Sequence, residues 1–208
     1  MDAIWLWPLV LVAFLVAWPG LRPLAAKLLG RRYKAQAVAS QPDHINLVRL
    51  AEPRWRHDEE RRAAEKQLAA AGFVDAGVYL VRETPNLTLG LHAHVAERAY
   101  AIFYDHPHSG CWSEFVTRFA DGTLATYTTL DPIEVDVPEG SVHVAEPRLS
   151  LTELWKKMLA ERPRKAMLEC VRSRAAQDFE RGYAESVAHH KRRTAAAARE
   201  PEDLRQAA

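Results

Sequence analysis

The stretch that decides the fold is Leu87 to Leu130, LTLGLHAHVAERAYAIFYDHPHSGCWSEFVTRFADGTLATYTTL. It divides into runs rich in β-formers: Leu87 to Val95, Tyr100 to Asp105, Trp112 to Phe119 and Thr123 to Leu130. Apolar and polar side chains tend to alternate along them, as they do on strands half-buried in a sheet. Val78 to Glu83 is a run of the same kind just upstream. The separators are short and made of turn formers: Pro85-Asn86, Glu97-Arg98 and Asp121-Gly122, the last a strong hairpin signal. These runs predict an antiparallel β-meander of about five strands. Ile133 to Val137 and Val142 to Ala145 would add short edge strands, with Pro132, Pro138 and Pro147 stopping further growth.

Helical patterns flank the meander. A helix is expected from about Pro53 or Trp55, with Asp58, Glu59 and Glu60 in its early turns and Gly72 as its stop. Downstream, Ser150-Leu151-Thr152-Glu153 has the form of a capping box, opening a helix whose apolar side carries Leu154, Trp155, Met158 and Leu159. Pro163 interrupts it. Leu168, Val171, Ala175, Phe179, Tyr183 and Val187 then recur every three to four residues, which predicts a final long helix. From Lys191 to Ala208 no apolar periodicity remains, and a frayed or disordered tail is expected. The fold class is therefore α+β.

The N-terminus has a different character. From Ala3 to Leu21 no side chain is charged, and the run reaches the roughly 20 residues that cross a bilayer. Trp5, Trp7 and Trp18 lie near its two ends, where indole rings favour membrane interfaces. A cleaved signal peptide would need a basic start and a small-residue cleavage site close behind, and neither is present. The expected organisation is a single transmembrane anchor over residues 1–22, a basic juxtamembrane linker over 23–52, an α+β domain over 53–190 and the tail over 191–208. Arg22, Lys27, Arg31, Arg32 and Lys34 flank one side of the span, whereas the other carries only the α-amino group and Asp2. The positive-inside rule then puts the domain in the cytoplasm and the N-terminus outside. The Ala- and Arg-rich composition points to a bacterial inner membrane. The same basic residues are placed to meet anionic lipid headgroups.

Of the 208 residues, 28 are Lys or Arg and 27 are Asp or Glu, a balance without the footprint of a nucleic-acid binder. The two cysteines, Cys111 and Cys170, give no disulfide framework and suit a reducing compartment.

Histidines supply the main candidate chemistry. His92 and His94 share one face of their strand, opposite Leu89 and Leu91. If Glu97-Arg98 is a two-residue hairpin loop, His92 lies across from Phe103 and Asp105 is its diagonal neighbour. With His108 folding back, His92, His94 and Asp105 could ligate zinc or iron. The plainer reading is a histidine-bearing sheet face, open to solvent or covered by a helix. His92-x-His94 with Glu97, followed by Pro138-x-Gly140-x-x-His143, resembles the two metal-binding motifs of the cupins. That resemblance implies a β-barrel and a metal held by these histidines and Glu97. The ligand order agrees, while Glu97 falls closer to the histidines than in that family and no asparagine follows His143. Gly110-Cys111-Trp112 is similar to the cysteine region of papain-like proteases, but a helix should begin there, and the run alternates like a strand. No P-loop, dinucleotide-binding glycine fingerprint or G-x-S-x-G elbow occurs.

The sequence therefore leads to a membrane-tethered binding or scaffolding domain at the cytoplasmic face, with no complete catalytic set. The alternatives are a metal-binding, cupin-like enzyme or sensor, and a lipid- or small-ligand-binding domain with a pocket lined by residues such as Phe115, Phe119 and Tyr127.

Overall fold

The computed structural model describes residues 41–84, 86–132 and 137–206, with side chains through residue 195. The expected anchor, its basic flank from Arg22 to Lys34, and most of the run Ile133 to Val137 lie outside the described residues. Among the described residues, no helix is long and apolar enough to cross a membrane.

In chain order the elements are β1 (Leu47–Arg49), α1 (Asp58–Ala70), β2 (Val74–Val81), β3 (Thr88–His94), β4 (Ala99–His106), β5 (Gly110–Arg118), β6 (Leu124–Thr128), β7 (Val142–Ala145), α2 (Leu151–Glu161) and α3 (Ala175–Gln206). The strands form one seven-stranded sheet in sequence order. Every neighbouring pair from β1 to β6 is antiparallel, and β7 returns to lie parallel to β6. The α+β class and the meander are as expected, but seven described strands replace about five. One addition is β7, over the run already noted. The other is β1, inside the stretch read as linker, where Ile45 is buried and Leu47 pairs with Val81. Residues Pro42–His189 form one compact unit. The last turns of α3, from residue 190, belong to a second unit, and their run Ala195–Ala198 is of the strongest helix former.

Strand alternation sorts the core into two clusters. One face of the sheet carries Ala99, Ala101 and Phe103 of β4, Phe115 of β5, and Ala125 and Tyr127 of β6, which pack with Ala64 and Leu68 of α1 and Leu154, Trp155 and Met158 of α2. The other face carries Leu89 and Leu91 of β3, Ile102 and Tyr104 of β4, and Trp112 and Val116 of β5, and it packs with Ala175, Phe179 and Tyr183 of α3. Burying each large side chain contributes about 1.5–3 kcal/mol, so an apolar layer on each face holds the sheet from both sides.

Helix starts follow their local chemistry. Ser150 and Glu153 form the reciprocal capping box that opens α2. The first helix begins at Asp58, later than expected, because Asp105 ties down the residues before it. Its Oδ2 accepts from the backbone N–H of Arg56 at 2.6 Å and of His57 at 3.4 Å. Trp55 therefore stays in the loop, edge-on to Phe103 at 5.7 Å, with the Arg61 guanidinium over its ring. Gly72, at φ 91°, ends the helix in the left-handed conformation that glycine tolerates. The final helix also starts late, at Ala175. Leu168 and Val171 are extended instead, because Leu168 N–H donates to Arg118 O at 2.9 Å and Ala120 N–H to Ala166 O at 2.8 Å. The segment after Pro163 thus lies along the end of β5.

Candidate functional site

A cavity of about 260 Å³ lies between the sheet and α3. Its sheet side is built from same-face residues of adjacent strands: Leu91, then Tyr100, Ile102 and Tyr104, then Glu114, Val116 and Arg118, then Leu124 and Thr126. Ala175, Asp178, Phe179, Gly182, Tyr183 and Ser186 of α3 complete it. Apolar cavities of about 150 Å³ accept benzene, so this one has room for a small organic molecule.

Polar groups punctuate the apolar wall. Tyr104 Oη donates to Glu114 Oε2 at 2.9 Å across β4 and β5. Glu114 is half-buried and lines the cavity. Burial raises its carboxyl above the usual glutamate range, against the hydrogen bonds of Tyr104 and the neighbouring Thr128. The Tyr104 phenol is likewise pushed well above its ordinary value, chiefly by burial and then by the Glu114 carboxylate. Among the described residues, no basic side chain pairs with Glu114.

The other charged groups of the wall are engaged. Tyr100 Oη donates to Asp178 Oδ2 at 2.6 Å and accepts from Val171 N–H at 3.0 Å, and Arg181 pairs with the other Asp178 oxygen. Burial, then the bond to Asp178, raises the Tyr100 phenol. Arg118 pairs with Glu185 at 2.7 Å and donates to Asp178 O at 3.3 Å, while its buried Nε has no partner in the structure.

The candidate metal ligands do not converge. The loop between β3 and β4 has four residues, Val95 to Arg98, not the two expected. Arg98 adopts φ 51°, Arg98 N–H bonds Val95 O, and Glu97 N–H donates to His94 Nδ1 at 3.2 Å. The register consequently places His92 across from Ala101, His94 across from Ala99, and Asp105 across from Thr88. A two-residue slip keeps every side chain on its predicted face while moving its partner by about 7 Å. His92 is buried, its Nδ1 is unpartnered, and burial lowers its pKa. His94 packs edge-on to Phe73 at 5.1 Å and against Trp155 at 5.6 Å. His108 is in the exposed β4–β5 turn beside His106. Asp105 is committed to His57, whose Nδ1 lies 2.7 Å from Oδ1. Among the described residues, no group of three or more His, Cys, Asp or Glu side chains is arranged to hold a metal ion.

The cupin-like positions are also dispersed. Glu97 pairs with Arg162 at 2.5 Å, and His143 on β7 is four strands from β3, roughly 19 Å at ordinary strand spacing. The sheet is open, with helices on both faces, so it forms no barrel to gather these residues. Both thiols are held protonated rather than activated. Burial, then Glu60 and Asp105, raises Cys111, and burial pushes Cys170 up to about 11 while its Sγ contacts Ala99 O at 3.2 Å.

The pocket-lining expectation falls on the wrong face. Phe115, Phe119 and Tyr127 are fully buried on the α1 and α2 side, with Phe115 at 5.4 Å from Phe73 and 5.2 Å from Trp155. Tyr100, Tyr104, Arg118 and Asp178 went unnoticed in the sequence. The signal available was alternation: Trp112, Glu114, Val116 and Arg118 share a face, so two charges sit where a helix-covered strand should be apolar. No protein-family model, no curated protein and no solved structure matches this chain.

Proposed function

We propose that this chain is a noncatalytic binding domain, tethered to the membrane by Ala3 to Leu21 and facing the cytoplasm, which holds a small amphipathic molecule between its sheet and α3. The supporting observation is the cavity itself, an apolar space with the Tyr104–Glu114 pair in its wall. Ligand sites typically combine a mostly apolar lining with a few placed polar groups, and this one fits that description. The basic flank from Arg22 to Lys34 supports the orientation.

The experiment is a calorimetric titration of the full chain in lipid nanodiscs with 2-phenylethanol, with empty nanodiscs as the blank. Saturable binding that Val116→Phe abolishes, with the circular dichroism unchanged, is the expected result. Heat identical to the blank would remove the proposal.

A further inference from the structure

We infer that the cavity selects a small apolar molecule carrying one basic nitrogen, which pairs with the Glu114 carboxylate among the surrounding aromatic rings. This rests on the reading of the cavity as a ligand site. It comes from matching the charges of the wall one by one. Asp178 is matched by Tyr100 and Arg181, and Arg118 carries its countercharge in Glu185, although its buried Nε has no partner. Glu114 is the lining charge without a countercharge, and the groups that meet it, the Tyr104 phenol and the Thr128 hydroxyl, are neutral. Arg118 stands four residues from Glu114 along β5, roughly 13 Å away, too far to compensate it.

An unpaired carboxyl in a low-dielectric wall has two resolutions. It takes up a proton, the direction in which burial already drives it, or it meets a cation. The rest of the lining favours the cation. Tyr100, Tyr104, Phe179 and Tyr183 all border the cavity, and aromatic faces attract ammonium groups. Tyr104 is stacked on Trp112 at 4.7 Å and lies 6.3 Å from Phe179, which fixes its ring. A bound ammonium would donate to Glu114 in a charge-assisted hydrogen bond, leaving Tyr104 to hold the second carboxylate site. A carboxylate ligand, by contrast, would face Glu114 with like charge.

The test compares three probes on the full chain in nanodiscs near neutral pH: 2-phenylethylamine, the isosteric 2-phenylethanol and 3-phenylpropanoate. The expected result is binding of the amine about tenfold tighter than the alcohol. In Glu114→Gln the ratio of amine to alcohol affinity falls to about one. The carboxyl ¹³C resonance of Glu114 in the unmodified chain gives a readout independent of any variant, and it should shift saturably with the amine but not with the alcohol. Equal binding of amine and alcohol, tighter binding of the carboxylate, or a Glu114 resonance indifferent to the amine overturns the inference and leaves the cavity reading standing. Binding of none of the three overturns both.

Discussion

Tyr104 on β4 donates its hydroxyl to Glu114 on β5 at 2.9 Å, and among the described residues this carboxyl has no basic partner. The pair lies on the sheet face that α3 packs against, so its protonation is coupled to folding. Burial raises the folded-state pKa of Glu114 above its unfolded value. The stability associated with the neutral form is therefore fully present below the unfolded pKa and is lost as pH rises through the raised one. Chemical denaturation of Glu114→Gln and the unmodified chain at about pH 4 and about pH 8 should show a gap that moves in favour of the variant at the higher pH. A gap that stays constant, or moves the other way, would mean the carboxyl is well solvated or well paired.

Phe115 and Val116 are adjacent in sequence and point to opposite sides of the sheet, one into filled core and one toward the cavity. Phe115→Ala is expected to cost about 3–5 kcal/mol of unfolding free energy, as large-to-small changes in tight cores do. Val116→Ala should cost far less, because its side chain already borders open space. Urea midpoints of the two variants check this, and equal losses would argue that α3 seals its face as tightly as α2 seals the other.

Asp105 accepts from two backbone amides and from the His57 ring while only 2% exposed. Asp105→Ala leaves those donors without their acceptor and should destabilise the domain by about 1–3 kcal/mol. His57→Ala should cost less, since the Arg56 amide keeps its bond. Thermal or urea denaturation separates them. A His57 variant as damaging as the Asp105 one would place the weight of this clamp on the imidazole.

Because His92, His94, Asp105 and His108 are dispersed, removing metal should leave the fold untouched. Treatment with a strong chelator is expected to leave the melting temperature unchanged. His94→Ala should lower it through lost packing on Phe73 and Trp155, equally with and without chelator. A chelator-induced drop that His92→Ala abolishes would restore the metal reading.

Much of the scaffold was legible because it is written locally. The Ser150–Glu153 box, the Val142–Ala145 strand and the side on which each meander residue lies all follow from near-neighbour chemistry. What failed depends on partners distant in sequence. The β3–β4 register turned on a loop that extrudes Val95 and sets Arg98 at positive φ, and nothing in Val95-Ala96-Glu97-Arg98 distinguishes that from a tighter hairpin. The start of α1 is set by Asp105, far away in sequence, and that of α3 follows the extended segment bound to Arg118. The cavity was invisible for the same reason: periodicity assigns Glu114 a face, but only the course of α3 shows that the face is covered without being filled.

Methyl-resolved NMR of the full chain in nanodiscs, titrated with 2-phenylethanol, addresses the cavity most directly. The predicted result is saturable shifts at the methyls of Leu91, Ile102 and Val116, with those of Leu154 and Met158 on the opposite face unmoved. Shifts confined to the opposite face, or none that saturate, would contradict it.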